Sequence, residues 1–340
     1  MRSRTEPPIV VDKFGGSVLR RPDDIAAAVA VVERQRARGL RPVVVVSAFE
    51  GVTDTILGAA EVLLPAGAGW LREPGSDPSS PMARETDRAL ATGEALSAAL
   101  FALGLQARGI PARSFSGAEA GIRTAAAHLG AEVRRVLSRP LRAALSGGLV
   151  PVVAGFQGIG THGELTTLGR GGTDLSAVAL AVALRADRCE LFKDVGGVME
   201  ADPHLVPNAR FLPAVDAIQL ELLAEMGAEV VHPVAVRRAR RGRLDLVVRA
   251  LDDDAPQTVV RPTTPQSDGV LMLAVDRKER MARISLVGPA RLTPEVLPVP
   301  AHGEGSFDEG GMRVVWAEVP LAAAASAAQA VHAAYCLPRT

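Results

Sequence analysis

The sequence predicts an α/β protein with a mainly parallel central sheet. Three observations carry this expectation. Short β-branched runs alternate with longer Ala- and Leu-rich helical patterns, the strand-like runs are apolar at nearly every residue, and Gly-rich turns follow or connect them. Pro8 to Lys13 is read as the first strand, ending at the turn Gly15-Gly16, and Asp23-Asp24 opens a helix over AAAVAVVERQRA. Pro42 to Ser47 is a continuous apolar strand, as expected where both faces are covered. The Gly-, Pro- and Ser-rich stretch from Pro65 to Pro81 is expected to be an exposed loop or lid. A helix from about Glu85 to Leu103 and a β segment near Ala112–Ser116 follow.

In the second half, the strand Val150–Phe156 leads into a hairpin, GIGTHGELTTLG. GRGGTD then opens the helix LSAVALAVALRA. The strand Cys189–Phe192, a helix around Ala217–Met226, a basic helix from Pro233 and the strand Leu244–Val248 complete this part. PTTPQSDG after residue 262 is a linker by composition, dividing the chain into 1–262 and 263–340. The remainder holds two evident strands, ARISLVG and RVVWAEV, before an Ala-rich helix.

Composition narrows the function. With 38 Lys+Arg against 38 Asp+Glu among 340 residues, the formal charge is +0, and no global field favours nucleic acid or an anionic membrane. Two distant cysteines, Cys189 and Cys336, suggest neither a disulfide framework nor a zinc site, and a cytoplasmic protein is expected. The basic run Arg237, Arg238, Arg240, Arg241 and Arg243 is read as a solvated helix face, and the six histidines lack metal-ligand spacing. No metal ligands are therefore assigned.

Glycine turns carry the chemistry. Gly15-Gly16-Ser17, Gly169 to Asp174 and Gly196-Gly197 would each let backbone N–H groups approach a ligand, and a helix N-terminus beside them favours an anion. Lys13 precedes the first turn and Arg170 lies inside the second, which together describe an anion site. No Walker A pattern exists. Gly158-Ile-Gly160-Thr-His-Gly163 matches a dinucleotide fingerprint by letter, but it enters a β-like run and is read as a hairpin turn.

The ordered motifs Lys13-Phe-Gly-Gly-Ser17, Ser47-Ala-Phe-Glu-Gly-Val-Thr53-Asp54, Thr92-Gly-Glu94, Gly155-Phe156-Gln-Gly, Thr167-Leu-Gly-Arg170-Gly-Gly-Thr173-Asp174, Asp194-Val-Gly-Gly-Val and Asp202-Pro203 resemble the aspartate kinases of the amino acid kinase superfamily. The likeness spans roughly residues 9–262. It implies the three-layer amino acid kinase (carbamate kinase-like) fold and transfer of the γ-phosphoryl of ATP, with Mg2+ carried by the nucleotide, to the side-chain carboxylate of L-aspartate or a related amino acid.

By the same resemblance Lys13 and Asp174 are catalytic, and Ser47, Thr53, Glu94, Phe156, Arg170 and Thr173 form the amino-acid pocket. Arg170 offers a bidentate fork to an α-carboxylate, and Glu94 a counter-charge to an α-amino group. Gly15, Gly16, Ser17, Lys193, Asp194, Met199, Asp202, His204 and Glu229 are assigned to the nucleotide. Here the chain departs from the family, with Met199, His204 and Glu229 in place of an aromatic, an arginine and a lysine, and Lys193 as a new cation. Two readings follow: a kinase with weakened ATP affinity, or a non-catalytic amino-acid-binding or regulatory homologue. After residue 262 the resemblance implies a reduced ACT-like remnant, small and α+β, serving packing or homodimer formation. The Pro- and Gly-rich run LTPEVLPVPAHGEGSFDEGG is expected to lack that module's first helix.

Overall fold

The structure is a computed structural model describing residues 7–63, 80–262, 270–291, 293–295 and 297–336. The loop expected from Pro65 and the linker after residue 262 fall almost wholly outside the described residues. The chain forms two compact units, Met1–Asp194 with Arg249–Ala255, and Val195–Val248 with Pro256–Thr340.

The first unit contains β1 (Ile9–Phe14), α1 (Ile25–Ala37), β2 (Arg41–Val46), α2 (Val52–Leu63), α3 (Pro81–Ala107), β3 (Ala112–Phe115), β4 (Ile122–Thr124), β5 (Val133–Val136), α4 (Arg139–Ser146), β6 (Val150–Ala154), β7 (Gln157–Ile159), β8 (Leu165–Thr167), α5 (Gly172–Leu184) and β9 (Arg188–Phe192). Its parallel strands lie in the order β3-β6-β2-β1-β9. Because side chains alternate across a strand, Phe14, Val44, Val46, Val152 and Phe192 enter one core with Val29 and Val32 of α1 and Phe101 and Leu105 of α3. Lys13 points to the other face. There it meets α5, whose small residues Ala177, Ala179 and Ala181 are buried against the strands. Helices thus cover both faces of the sheet, and the apolar runs predicted as strands are buried throughout.

A second, smaller sheet has the order β5-β4-β7-β8, and β7–β8 is the hairpin expected from the sequence. Helix α3 starts earlier than the sequence suggested. Ser80 caps it by accepting from the Ala83 N–H at 3.0 Å, and Pro81 takes the first turn, where a missing N–H costs nothing. By length and composition α3 is apolar enough to span a membrane, yet 50% of its apolar window is buried inside the protein.

One interior cluster of charge holds the sheet. Asp12 accepts from Gln35 at 2.9 Å, while Glu190 on the adjacent strand meets Arg188 and Arg249. Burial, reinforced by Glu190, holds the Asp12 carboxyl well above the ordinary carboxylate range. The returning segment Arg249–Ala255 is fastened by Asp253, which pairs with Arg34 at 3.0 Å, Arg38 at 2.9 Å and Arg249 at 2.8 Å.

The second unit contains β10 (Val198–Met199), β11 (Phe211–Leu212), β12 (Ala214–Asp216), α6 (Ala217–Glu225), α7 (Pro233–Gly242), β13 (Asp245–Arg249, its last residue in the first unit), β14 (Gln257–Arg261), β15 (Met272–Arg277), β16 (Met281–Pro289), β17 (Gly303–Glu309), β18 (Met312–Pro320) and α8 (Ala324–Tyr335). The strands β15-β16-β18-β17 make an antiparallel sheet, and α8 packs Ala328 and Val331 onto Ile284, Leu286 and Val315. No helix forms over the described residues between β16 and β17, as the prolines and glycines there dictate.

The basic run on α7 is not simply solvated. Arg237 and Arg240 both pair with the buried Glu221 of α6, at 2.5 and 3.0 Å, and Arg237 also reaches Glu225. Glu200, fully buried, is paired with Arg210 and with Nε2 of His332 on α8 at 2.8 Å. Burial alone would raise its carboxyl, but the hydrogen bonds from Arg210 and His332 outweigh that and hold it below the ordinary value.

Candidate active site

Parallel strands place their carboxyl ends side by side, and the loops leaving those ends form the natural crevice of an open α/β sheet. In the first unit Lys13 of β1 stands in register with Val45 of β2 and Leu191 of β9, and Val45 with Val153 of β6. The segments after these strands, with α2, α3 and the start of α5, enclose a cleft of about 710 Å³. Lys13, Gly16, Ser47, Thr53, Glu94, Phe156, Arg170, Thr173, Asp174 and Lys193 all line it. Residues drawn from positions 13 to 193 therefore converge on one cleft.

The floor is a triad of charges. Asp174, in the first turn of α5, pairs with Lys13 Nζ at 2.7 Å and with Lys193 Nζ at 3.5 Å. Lys13 and Asp174 are buried, and Lys193 nearly so. Desolvation lowers the Lys193 ammonium from its ordinary value, although Asp174 opposes that. Lys193 thus finds its carboxylate in Asp174. Glycine at position 15 leaves room for the lysine, since a Cβ there would stand 2.7 Å from Lys13 Nζ and displace it. The N–H groups of Val18 and Leu19 both close onto the Gly15 carbonyl, which fixes the turn.

The opposite wall is built by α3. Gly93 lets the helix approach the segment after β2, because a Cβ there would lie 2.8 Å from Ala48 Cβ. Glu94 is consequently buried, with 4% exposure, and its Oε1 accepts from the Ala48 N–H at 3.1 Å. Among the described residues its other oxygen has no hydrogen-bond partner. Burial pushes this carboxyl up to about 7, against the restraining Ala48 hydrogen bond. A buried carboxylate oxygen so placed can be met by a ligand cation, by water or by a proton of its own.

Arg170 enters from the turn between β8 and α5, exposed and without a charged partner among the described residues. Gly169 and Gly171 take left-handed backbone around it, with φ of 72° and 69°. Gly172 admits α5 close to the wall, since a Cβ there would be 2.9 Å from Phe156 Cδ2. Phe156 itself has φ of 65°, a strained choice for an aromatic residue. It is held by Ser176 Oγ accepting from its N–H at 3.0 Å and by its carbonyl accepting from the Leu168 N–H.

Ser17, Lys193 and Asp194 line a smaller cavity beside the glycine turn, of about 350 Å³. Met199, Asp202, His204 and Glu229 belong to the second unit. Met199 is half-buried on β10 opposite Phe211, Asp202 accepts from the His204 N–H at 2.9 Å, and Glu229 is exposed. The sequence reading missed Asp87 and His128, which support the cleft wall from behind. Their partners lie about 40 and 80 residues away, a separation that no local pattern reveals.

A family model described as "Amino acid kinase family" matches residues 8–250. The chain is 40% identical over 286 residues to an aspartokinase of Mycolicibacterium smegmatis, covering 82% of this chain and 64% of that protein. It is 36% identical over 282 residues to aspartokinase 2 of Bacillus subtilis, covering 82% and 65% respectively. The chain thus spans 64 to 65% of the length of these two relatives. Among solved structures, E. coli aspartokinase III in complex with aspartate and ADP superposes with a TM-score of 0.78 at 21% identity, covering 96% of this chain and 99% of that one, a likeness of fold. Aspartate kinase from Synechocystis gives a TM-score of 0.63 at 32% identity, covering 96% of this chain and 55% of that one. With most of the chain matched in sequence and the strand-end cleft in place, the protein belongs to the amino acid kinase family.

Proposed function

We propose that this protein transfers the γ-phosphoryl group of ATP to the side-chain carboxylate of L-aspartate or a closely related amino acid. The observation that carries the reading is the buried Oε2 of Glu94, without a partner among the described residues, on a cleft whose floor is cationic. Such a carboxylate suits the α-ammonium of an amino acid. Arg170 suits its α-carboxylate, and Ser47, Thr53, Phe156 and Thr173 line the space around them. The names of the aspartokinase relatives support the same acceptor.

In the proposed reaction an ionised carboxylate oxygen of the acceptor attacks the γ-phosphorus, the bond to the β,γ-bridging oxygen breaks, and ADP leaves with that electron pair. No general base is needed, because the nucleophile is already an anion. Positioning and charge neutralisation are the main demands of this chemistry. Lys13 and Lys193 face the transferring oxygens, and Asp174 holds both ammonium groups in place. The N–H groups of Gly15, Gly16 and Ser17, with those at the start of α5, add donors for phosphate oxygens.

Mg2+ would be held by the nucleotide's own phosphates. The assignment of Met199, Asp202, His204 and Glu229 to the nucleotide rests on their motif. The antiparallel sheet with α8 supports reading 263–340 as a reduced ACT-like module serving packing or homodimer formation. The deciding experiment is hydroxylamine trapping of the acyl phosphate across a panel of carboxylic amino acids with MgATP. Hydroxamate formation with L-aspartate above the rest is expected, and none with any acceptor would reject the reading.

A further inference from the structure

Behind the cleft wall, Asp87 of α3 is fully buried yet accepts from three donors. Its Oδ1 takes the Thr167 hydroxyl and the Leu129 N–H, the latter at 3.1 Å, and its Oδ2 lies 2.7 Å from His128 Nδ1. With Asp87 ionised the carboxylate has no hydrogen to give, so Nδ1 carries the proton. The loop so gripped is strained: Leu129 has φ of 58°. That loop in turn is bonded to the strand before Arg170, for the N–H groups of Gly130 and Ala131 both donate to the Thr167 carbonyl, at 3.1 and 2.8 Å. Leu129, Thr167, Gly169 and Arg170 all line the cleft.

Asp87 and Glu94 are seven residues apart on one helix, two turns on the same face. One face of α3 therefore presents Glu94 directly to the cleft and secures the base of the Arg170 turn through Asp87. A tight turn of glycines carries little stiffness of its own. Its direction must be set by what anchors it.

We infer that Asp87, acting through His128 and Thr167, is a positioning residue that fixes the Arg170 turn, so that α3 sets the separation between the guanidinium and the Glu94 carboxylate. This rests on the reading of Arg170 and Glu94 as the clamp for an amino acid's two charges. An ionised aspartate accepts from all three partners through both of its oxygens, whereas an asparagine would have a single oxygen to accept with. Desolvation, the largest influence, raises the Asp87 carboxyl, and the donors oppose that rise.

The test uses the full chain with three substitutions, His128→Ala, His128→Asn and Arg170→Ala, read by calorimetric titration with L-aspartate and with MgATP, and by amide hydrogen exchange. The asparagine amide N–H sits where Nδ1–H does and keeps the donor. His128→Ala should weaken aspartate about 10-fold, the loss of one hydrogen bond to a charged group. MgATP affinity should stay unchanged, His128→Asn should restore aspartate binding, and exchange at Gly130, Ala131 and Gly171 should quicken only in the alanine variant. Weaker aspartate binding in Arg170→Ala but wild-type binding and exchange in His128→Ala would overturn the positioning role alone. Unchanged aspartate affinity in Arg170→Ala would instead overturn the clamp reading, and this proposal with it.

Discussion

Replacing Glu94 by glutamine separates what the cleft needs for binding from what the fold needs for stability. The folded protein holds this carboxyl at about 7, against an ordinary 4.5. Each pH unit across that interval corresponds to ~1.4 kcal/mol, so keeping Glu94 ionised in the unliganded protein costs about 3 kcal/mol. The sign follows from proton uptake. Between pH 4.5 and about 7 the folded state retains a proton that the unfolded chain has released, so this group's contribution to stability falls as pH rises through that window. Glu94→Gln keeps the acceptor for the Ala48 N–H and has no proton to lose. In urea unfolding at pH 8 the variant should therefore exceed the wild type by up to about 3 kcal/mol, with the advantage vanishing near pH 4.5. Its affinity for L-aspartate should drop by roughly 2–5 kcal/mol, since the ammonium loses its buried counter-charge. A stability difference that is the same at pH 4.5 and pH 8 would refute the desolvation argument, and undiminished aspartate binding would refute the clamp.

Other outcomes follow from the same geometry. Lys13→Ala should lower turnover on the order of 100-fold or more with aspartate binding retained, measured by hydroxamate formation and calorimetry. Gly15→Ala should act in the same direction while leaving the melting temperature nearly unchanged, because the added methyl would sit 2.7 Å from Lys13 Nζ and push aside a flexible side-chain end. Lys193→Thr should lower turnover by roughly 10-fold and raise the MgATP requirement, the loss of one positive charge at intermediate dielectric; equal kinetics would remove Lys193 from the reaction. In the second unit, Arg210→Ala should destabilise the protein by about 3 kcal/mol by taking the guanidinium from buried Glu200, which keeps His332 and the N–H of residue 210, as read from denaturant midpoints. Since Glu200 is depressed in the folded state, its contribution is present above pH 4.5 and is lost as pH falls through the lower folded value.

The parts of this fold that sequence reveals are those whose signal is local and long enough to repeat. The apolar run of β2, the small-residue helix α5 and the hairpin β7–β8 all announce themselves within a dozen residues. Strands β4 and β5 have three and four residues, too few for an alternation to show, and both went unread. β17, GEGSFDE, looks like coil because of its glycines. In the sheet Gly305 is what lets the Trp316 ring lie across the strand, where a Cβ would stand 2.8 Å from it. The cleft residues were legible because glycine turns and charged residues occupy strand ends. Glu94 was named by its motif, but the condition of its free oxygen and the Lys193–Asp174 contact depend on packing between segments far apart in the chain.

The return of Arg249–Ala255 to the first unit has a consequence for the order in which the molecule is made. Asp253 is the carboxylate on which Arg34, Arg38 and Arg249 converge, and Arg249 also reaches the buried Glu190. A nascent chain that has reached Asp194 possesses all the parallel strands of that unit and its cleft residues, yet lacks this clasp. About 60 further residues, most of them destined for the other unit, must emerge first. At about 5–20 residues per second the wait is roughly 3–12 s, long compared with the collapse of a small domain. During that interval Glu190 has Arg188 but lacks Arg249, and synthesis rather than collapse sets when the first unit closes.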